Sequence, residues 1–332
     1  MKSPNWVTIA SILLSTFLLY KWATRRETSV ESLSESQEAL LSEDFWNQVK
    51  EANFAKKGFI VRAQFCQKKC HYIVDELVES ANGQIQVQRL VTFQVDRINA
   101  CVCAHVLLPD PNEIDTSKWQ ADHSKLASRS INTDQMTQIF QSGQLPLSKD
   151  IEKNVLIFGT GTGTVFMHLQ HHFKKMSITG LEVSKKIIKI GRKWFGFKPS
   201  SQNKFLFSDA KDHVKKSIEE NHLYDIILAD PCLEFISYDK WMCPPPSLCT
   251  DEFISNLRKV MKPNGILSMN LLHFDGKPKY EEIMKKFVKY FEHCEFFNVP
   301  DVKNLLITCY TSEMPEKNEN ASEFLDQLGM PN

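Results

Sequence analysis

Four short stretches of this 332-residue sequence set chemistry-bearing residues at the ends of apolar runs. The first is Val155-Leu156-Ile157-Phe158-Gly159-Thr160-Gly161-Thr162-Gly163-Thr164, an apolar run that empties into a loop with glycine at alternate positions. Glycine there permits a tight turn and lets a ligand approach the backbone closely. The second is Glu182, roughly 20 residues on, where an acidic side chain can bind ribose hydroxyls. Asp209-Ala210 and Asp230 end the third and fourth runs. Polar groups at the carboxyl ends of parallel strands line the ligand crevice of an open α/β sheet. Taken singly, each has a plainer role: a helix cap, a turn, a simple strand-to-helix connection. Together, at four successive strand ends, they point to a nucleotide-type cofactor. A dinucleotide fingerprint needs a third glycine three residues after the second, and Thr164 holds that position. No Gly-Lys-Ser/Thr is present, which excludes a phosphate-cradling P-loop.

The elements that must position these residues follow from patterning. From Asn154 onward, apolar strands alternate with amphipathic helices. The strands are expected at Val155–Phe158, Ser177–Leu181, Lys204–Phe207, Asp225–Leu228 and Ile266–Asn270. The helices are expected at Thr164–Phe173, Lys185–Phe195, Lys211–Glu220 and Asp251–Met261. That alternation implies a Rossmann-like α/β sheet with both faces covered. A last helix, Tyr280–Phe291, leads to Cys294–Val299 and Leu305–Tyr310, two strands able to close one edge. Upstream, Phe59–Phe65, His71–Val78, Ile85–Phe93 and Ala100–Leu108 read as short strands of a small antiparallel β-domain. A short helix is expected at Asp134–Ser142.

The spacing of Gly159, Gly161, Gly163, Glu182, Asp209 and Asp230 resembles that of class I S-adenosylmethionine-dependent methyltransferases. The resemblance implies S-adenosyl-L-methionine as cofactor. The glycine loop would pass its methionine moiety, Glu182 would hold the ribose, and Asp209 and Ala210 would flank the adenine. Glu182 to Phe197 (EVSKKIIKIGRKWFGF), Phe207 to Asp212 (FSDAKD) and Tyr224 to Asp230 (YDIILAD) resemble the spermidine-synthase-like branch, which also carries a small N-terminal β-domain. Within it, Trp194-Phe195-Gly196-Phe197, Cys243-Pro244-Pro245-Pro246 and Phe253 to Asn270 are similar to the C-terminal half of the dual methyltransferases of translation elongation factor 1-alpha, the methyltransferase-like protein 13 family. The likeness covers roughly Asn154–Tyr310. In that family this half methylates the factor's N-terminal amine. It therefore implies N-methylation of a protein amine, with a translation factor as one candidate partner. Asp230 is the candidate catalytic residue, orienting the amine and accepting its proton. Two departures bear on the alternatives. Thr162 stands where polyamine synthases usually carry an Asp, and Asp230 is followed by Pro231-Cys232-Leu233-Glu234 rather than a Ser/Thr-rich segment with a second acid. A polyamine is a multivalent cation that needs several carboxylates, so aminopropyl transfer is the second reading. A non-catalytic scaffold that keeps the fold is the third.

The remaining chain divides by composition: residues 1–26 a membrane anchor, 27–58 an acidic stalk and helix, 59–110 the β-domain, 111–150 a connection, 151–311 the methyltransferase-like domain, and 312–332 a loose acidic tail. Between Trp6 and Trp22 the residues are mostly apolar, with aromatic residues at both ends. At ~1.5 Å per residue the stretch covers roughly 26 Å, near the thickness of an endoplasmic-reticulum bilayer. A cleaved signal peptide competes, but the region after Tyr20 has no small-x-small site. Lys21, Arg25 and Arg26 outweigh Lys2, which turns the bulk of the chain toward the cytosol; a secreted or lumenal domain is the alternative. Forty basic against 40 acidic residues leave a net charge of zero, which disfavours a dedicated nucleic-acid binder, so no DNA partner is expected. The basic run from Lys174 to Lys204 is a solvated helix face or a docking surface for an anionic lipid, acidic protein or RNA. Nine cysteines, an odd count, fit a reduced compartment with mostly buried thiols. Cys66, Cys70, Cys101 and Cys103 are read as packing residues rather than zinc ligands, and His168, His171 and His172 as a solvated helix face. Asn320-Ala321-Ser322 is a glycosylation sequon that matters only in a lumenal domain.

Overall fold

The computed structural model describes residues 41–54, 58–66, 70–79, 83–93, 101–127, 130–233, 241–273, 277–300 and 303–330. The expected anchor at 1–26 and most of the stalk lie outside them. Among the described residues no helix is long and apolar enough to cross a membrane.

The chain enters through α1 (Glu43–Val49). Ser42 caps it by accepting from the Phe45 N–H at 3.2 Å, and Glu43 and Asp44 sit at the positive end of the helix dipole. Trp46, Val49 and Phe54 bury against Val87, Leu107 and Trp119 of the β-domain. That domain is an antiparallel sheet ordered β1 (Phe59–Cys66), β2 (Cys70–Glu79), β3 (Ile85–Thr92), β4 (Cys101–Leu108) and β5 (Gln120–Ala121). The first four match the expected strands, and β5 is too short to show in patterning. Buried Asp75 holds two guanidinium groups, accepting from Arg62 Nε at 2.8 Å and Arg89 Nε at 2.7 Å. Arg89 also donates to the Trp194 carbonyl at 3.3 Å and so ties the β-domain to the second domain.

The second domain runs α2 (Ile131–Gln141), β6 (Asn154–Phe158), α3 (Thr164–His172), β7 (Ser177–Leu181), α4 (Lys185–Trp194), β8 (Lys204–Leu206), α5 (Ala210–Glu219), β9 (Tyr224–Ala229), β10 (Trp241–Cys243), α6 (Asp251–Lys259), β11 (Met261–His273), α7 (Lys277–Tyr290), β12 (His293–Asn298), β13 (Asn304–Tyr310) and α8 (Ala321–Gln327). The sheet order is β12-β13-β11-β9-β6-β7-β8, with β10 paired to β11. Strands β8, β7, β6, β9 and β11 are parallel, and β13 and β12 close the edge antiparallel as the sequence implies. Val155, Leu156, Ile157 and Phe158 are buried because helices cover both faces: one core gathers α6 and α7, the other α2, α3 and α8. The chain reverses its direction of winding between β6 and β9, and that switch point opens the crevice where the glycine loop lies.

Three expectations are corrected. The tail is not loose: α8 drives Phe324, Leu325 and Leu328 into the core beside α2, because its apolar residues recur at helical spacing. The α3 histidines are not a solvated face. His168 is fully buried with Nδ1 3.3 Å from the His123 carbonyl, and His172 Nε2 lies 2.8 Å from the Ser124 carbonyl. Burial pushes the His168 imidazole well below its ordinary range and His172 down to about 4. Six of the nine cysteines are not thiols but form Cys66–Cys70, Cys232–Cys243 and Cys294–Cys309 disulfides. The pairings are between cysteines close in sequence that strand pairing aligns, as Cys66 faces Cys70 and Cys294 faces Cys309. Cys249 is free and buried.

Candidate active site

The glycine loop is built so that only glycine fits. Gly159 has φ 70°, and a Cβ there would lie 2.6 Å from the Asp230 carbonyl oxygen. Gly163 has φ 96°, and a Cβ would lie 2.2 Å from Phe197 Cδ2. The loop is anchored on one side by the Gly159 and Thr160 N–H groups, both donating to the Leu181 carbonyl of β7. On the other side the β-domain reaches in. His105 Nε2 of β4 lies 3.1 Å from the Thr162 hydroxyl and 2.8 Å from that of Thr164. Burial holds the His105 imidazole well below its usual range, with His123 and Arg89 adding to the effect, so the ring is neutral and bridges the two hydroxyls. Sequence reasoning did not single out His105. Its only signal is a polar residue inside the apolar strand Cys101–Leu108.

Glu182 closes the far side of the loop. One carboxylate oxygen accepts from the Gly161 N–H at 3.0 Å, the other from Val183 and Ser184 at 2.9 and 2.8 Å. Beside it, Val183 and Phe207 are 59% and 54% exposed, and Leu206 is also exposed. Val183 and Phe207 follow the carboxyl ends of the adjacent strands β7 and β8, on the same side of the sheet as Glu182. An acid with apolar side chains next to it fits the ribose and flat base of a nucleoside, and the half-buried backbone at Gly159 and Gly161 fits its tail. Asp209 is exposed and accepts from the Lys211 N–H at 2.8 Å, capping α5, while Ala210 is buried behind it. The cap sets Asp209 just past the end of β8, two residues after Phe207.

Asp230 sits across the loop, at the end of β9. Its N–H donates to the Phe158 carbonyl at 3.0 Å, which fixes it beside Gly159. Its carboxylate accepts from Asn270 Nδ2 at 2.7 Å, and Asn270 Oδ1 accepts from Asn304 Nδ2 at 2.8 Å. Burial pushes the carboxyl up to about 7, with the Asn270 amide pulling the other way. A carboxyl that titrates near neutrality is suited to taking up a proton at physiological pH. Asn270 and Asn304 were not foreseen as site residues. Their signal is amide side chains in the otherwise apolar runs of β11 and β13. The Cys232 sulfur lies 3.3 Å from Asp230 Oδ1, and its bond to Cys243 ties the segment after Asp230 to β10. Asp230 and these two sulfurs lie within 4.8 Å of one another, but paired sulfurs have no thiolate to offer a cation. From behind, Gln135 of α2 donates to the Ala229 and Ser268 carbonyls at 3.2 Å each, holding β9 and β11 together below the site. Burial pushes the Cys249 thiol up to about 12, so it is no nucleophile at neutral pH.

Comparison with known proteins agrees with this geometry. A methyltransferase domain family matches residues 156–267, from the strand before the glycine loop into β11. Bovine eEF1A lysine and N-terminal methyltransferase is 27% identical over 125 residues, covering 36% of this chain and 17% of that protein. The chain thus matches less than a fifth of that relative's length. A crystal structure of human methyltransferase-like protein 13 in complex with SAH superposes with a TM-score of 0.55 at 20% identity, covering 60% of this chain and 93% of the other. A probable spermidine synthase from Corynebacterium glutamicum superposes with a TM-score of 0.52 at 16% identity over 82% of this chain and 89% of its own. The chain carries a class I S-adenosylmethionine-dependent methyltransferase domain, distantly related to the elongation-factor methyltransferases.

Proposed function

We propose that this chain transfers the methyl group of S-adenosylmethionine to an amine of a protein. The observation that carries the reading is the Asp230 carboxylate, raised toward neutrality by burial, oriented by Asn270 and fixed beside the glycine loop. Gly159, Gly161 and Gly163 would accommodate the cofactor's methionine end, Glu182 its ribose, and the edge at Asp209 and Ala210 its base. When bound, the cofactor supplies an electrophilic methyl group on a sulfonium sulfur. The chain's own residues supply position, water exclusion and a proton acceptor. The Asp230 carboxylate would accept a hydrogen bond from the incoming amine and take its proton as the methyl–sulfur bond gives way to the new N–C bond. An α-amine ionises at roughly 7.7–8, so a useful neutral fraction exists without a strong base.

The name of the bovine relative supports a protein amine as acceptor. The site's composition speaks against a polyamine. Thr162, whose hydroxyl is engaged by His105, stands in place of a loop acid, and the described contacts of the Asp230 carboxylate are an amide and a disulfide rather than a second acid. The test uses the full-length chain in detergent with methyl-labelled S-adenosylmethionine and cell extract, and in parallel with decarboxylated cofactor and putrescine. Label on protein amines, lost with Asp230→Asn, is the expected result. Label in spermidine instead would reject it.

A further inference from the structure

We infer that the folded domain resides in an oxidising lumen and carries an N-linked glycan on Asn320. Two independent observations carry this. The first is cysteine chemistry: Cys66–Cys70, Cys232–Cys243 and Cys294–Cys309 are disulfides, and Cys249 is a free, buried thiol. Disulfides persist in secretory compartments and are rare where glutathione keeps thiols reduced. They are spread through the fold rather than confined to one surface loop. Cys66–Cys70 closes the β1–β2 hairpin, Cys232–Cys243 braces the acceptor side of the site, and Cys294–Cys309 crosses β12 and β13 with Cys309 fully buried. Each bond forms when two thiols lose two electrons and two protons to a disulfide donor, and such donors act during folding in the secretory pathway.

The second observation is the sequon. Asn320-Ala321-Ser322 is the one Asn-x-Ser/Thr triplet in the 332 residues. Asn320 and Ser322 are exposed while Ala321 between them is buried, so the triplet lies on the surface with its acceptor outward. Asn320 occupies the cap position of α8, yet its side chain makes no capping hydrogen bond. Its amide is therefore not committed to holding the helix. The position is also remote from the chemistry. Asn318 donates to the Phe140 carbonyl at the carboxyl end of α2 and to the Leu145 carbonyl just beyond it, whereas Gln135, nearer the helix's amino end, donates to the Ala229 carbonyl next to Asp230. A glycan there would project from the opposite end of the sheet and leave the crevice open. In the modification, Asn320 Nδ2 bonds to the anomeric carbon of a lipid-pyrophosphate-linked oligosaccharide, loses one proton, and the lipid pyrophosphate leaves. The charge balance around Trp6–Trp22 argues for a cytosolic domain by the loop-charge rule, but that balance rests on a few residues, and the disulfides weigh against it.

The test is expression of the full-length chain in secretory-competent animal cells, with cysteines alkylated before lysis. Peptide mapping without reductant should recover the three linked pairs, and a peptide-N-glycosidase should shift the band by one glycan. Asn320→Gln and, separately, Ser322→Ala should abolish that shift while leaving the linked peptides in place. Alkylation of all six cysteines together with no glycosidase shift would overturn the inference as a whole. Intact disulfides on a chain with unmodified Asn320, or a glycan that survives Asn320→Gln, would overturn the glycan assignment.

Discussion

Replacing Asn270 with leucine removes the one described hydrogen bond that favours the ionised form of Asp230, and its effect can be worked out in advance. The Asn270 amide donates to the carboxylate at 2.7 Å, and burial sets the carboxyl at about 7 against that pull. A hydrogen bond to a charged group contributes roughly 1.5–3 kcal/mol. At 1.36 kcal/mol per unit, its loss raises the carboxyl by about 1–2 units. Near pH 7 the ionised fraction falls from about half to roughly 10% or 1%, a drop of about 5- to 50-fold in the rate of proton removal. Leucine suits a strand whose neighbours are apolar, so β11 should remain folded. The assay is the pH profile of kcat/KM for the acceptor at saturating cofactor. The acid limb should move up by about 1–2 units, and the rate should recover toward that of the unchanged protein well above the shifted value. A uniform fall at every pH with the limb unmoved would refute the reasoning, because Asp230 would then lie outside the proton path.

Three further outcomes follow from the same structure. Gly159→Ala drives a Cβ to within 2.6 Å of the Asp230 carbonyl at a φ of 70°, so both backbone strain and a clash displace Asp230; cofactor-dependent activity should be lost while far-ultraviolet circular dichroism is retained, and an active variant would contradict the assignment. Asp75→Asn leaves the buried Arg89 guanidinium without its counter-charge and Arg62 with the longer contact to Asp115 at 3.5 Å, at a cost of roughly 3–5 kcal/mol, read as a lowered urea midpoint; an unchanged midpoint would contradict it. Acid should weaken the fold. Burial holds His105 and His168 well below their usual range, lowers His123 and sets His172 at about 4, so below about pH 6.5 the unfolded chain takes up protons first and stability falls toward pH 4. Asp134 and Asp230, raised to about 6 and about 7, titrate in the opposing sense but are outnumbered; a urea midpoint higher at about pH 5 than at about pH 7 would refute the sign.

The parts of the molecule legible in the sequence are those governed by local rules. Strands β6 and β9 read as largely apolar runs because both faces are covered, and the glycine loop, Glu182 and Asp230 fall at the ends of β6, β7 and β9 by the geometry of a parallel sheet. What escaped depends on contacts between distant segments. His105 meets Thr162 across 57 residues and Asn270 meets Asp230 across 40, and neither partner sits at a spacing that names the other. The α3 histidines look polar in a helical wheel, but the segment carrying His123 and Ser124 covers them, so tertiary burial overrides composition. The disulfides escaped because an odd count excludes only complete pairing, and strand register decides which cysteines meet. The tail carried its own signal: Phe324, Leu325 and Leu328 are spaced as one helix face, outweighed in the reading by its acidic composition.

In the proposed reaction S-adenosylmethionine would be held by Glu182 and the glycine loop. Isothermal titration calorimetry of the full-length chain in detergent tests it most directly. One cofactor should bind per chain, and Glu182→Ala should weaken that binding by about tenfold or more, as expected for the loss of hydrogen bonds to a charged group. A folded chain that takes up no cofactor, or a Glu182→Ala variant that binds it as tightly as the unchanged protein, would contradict the account.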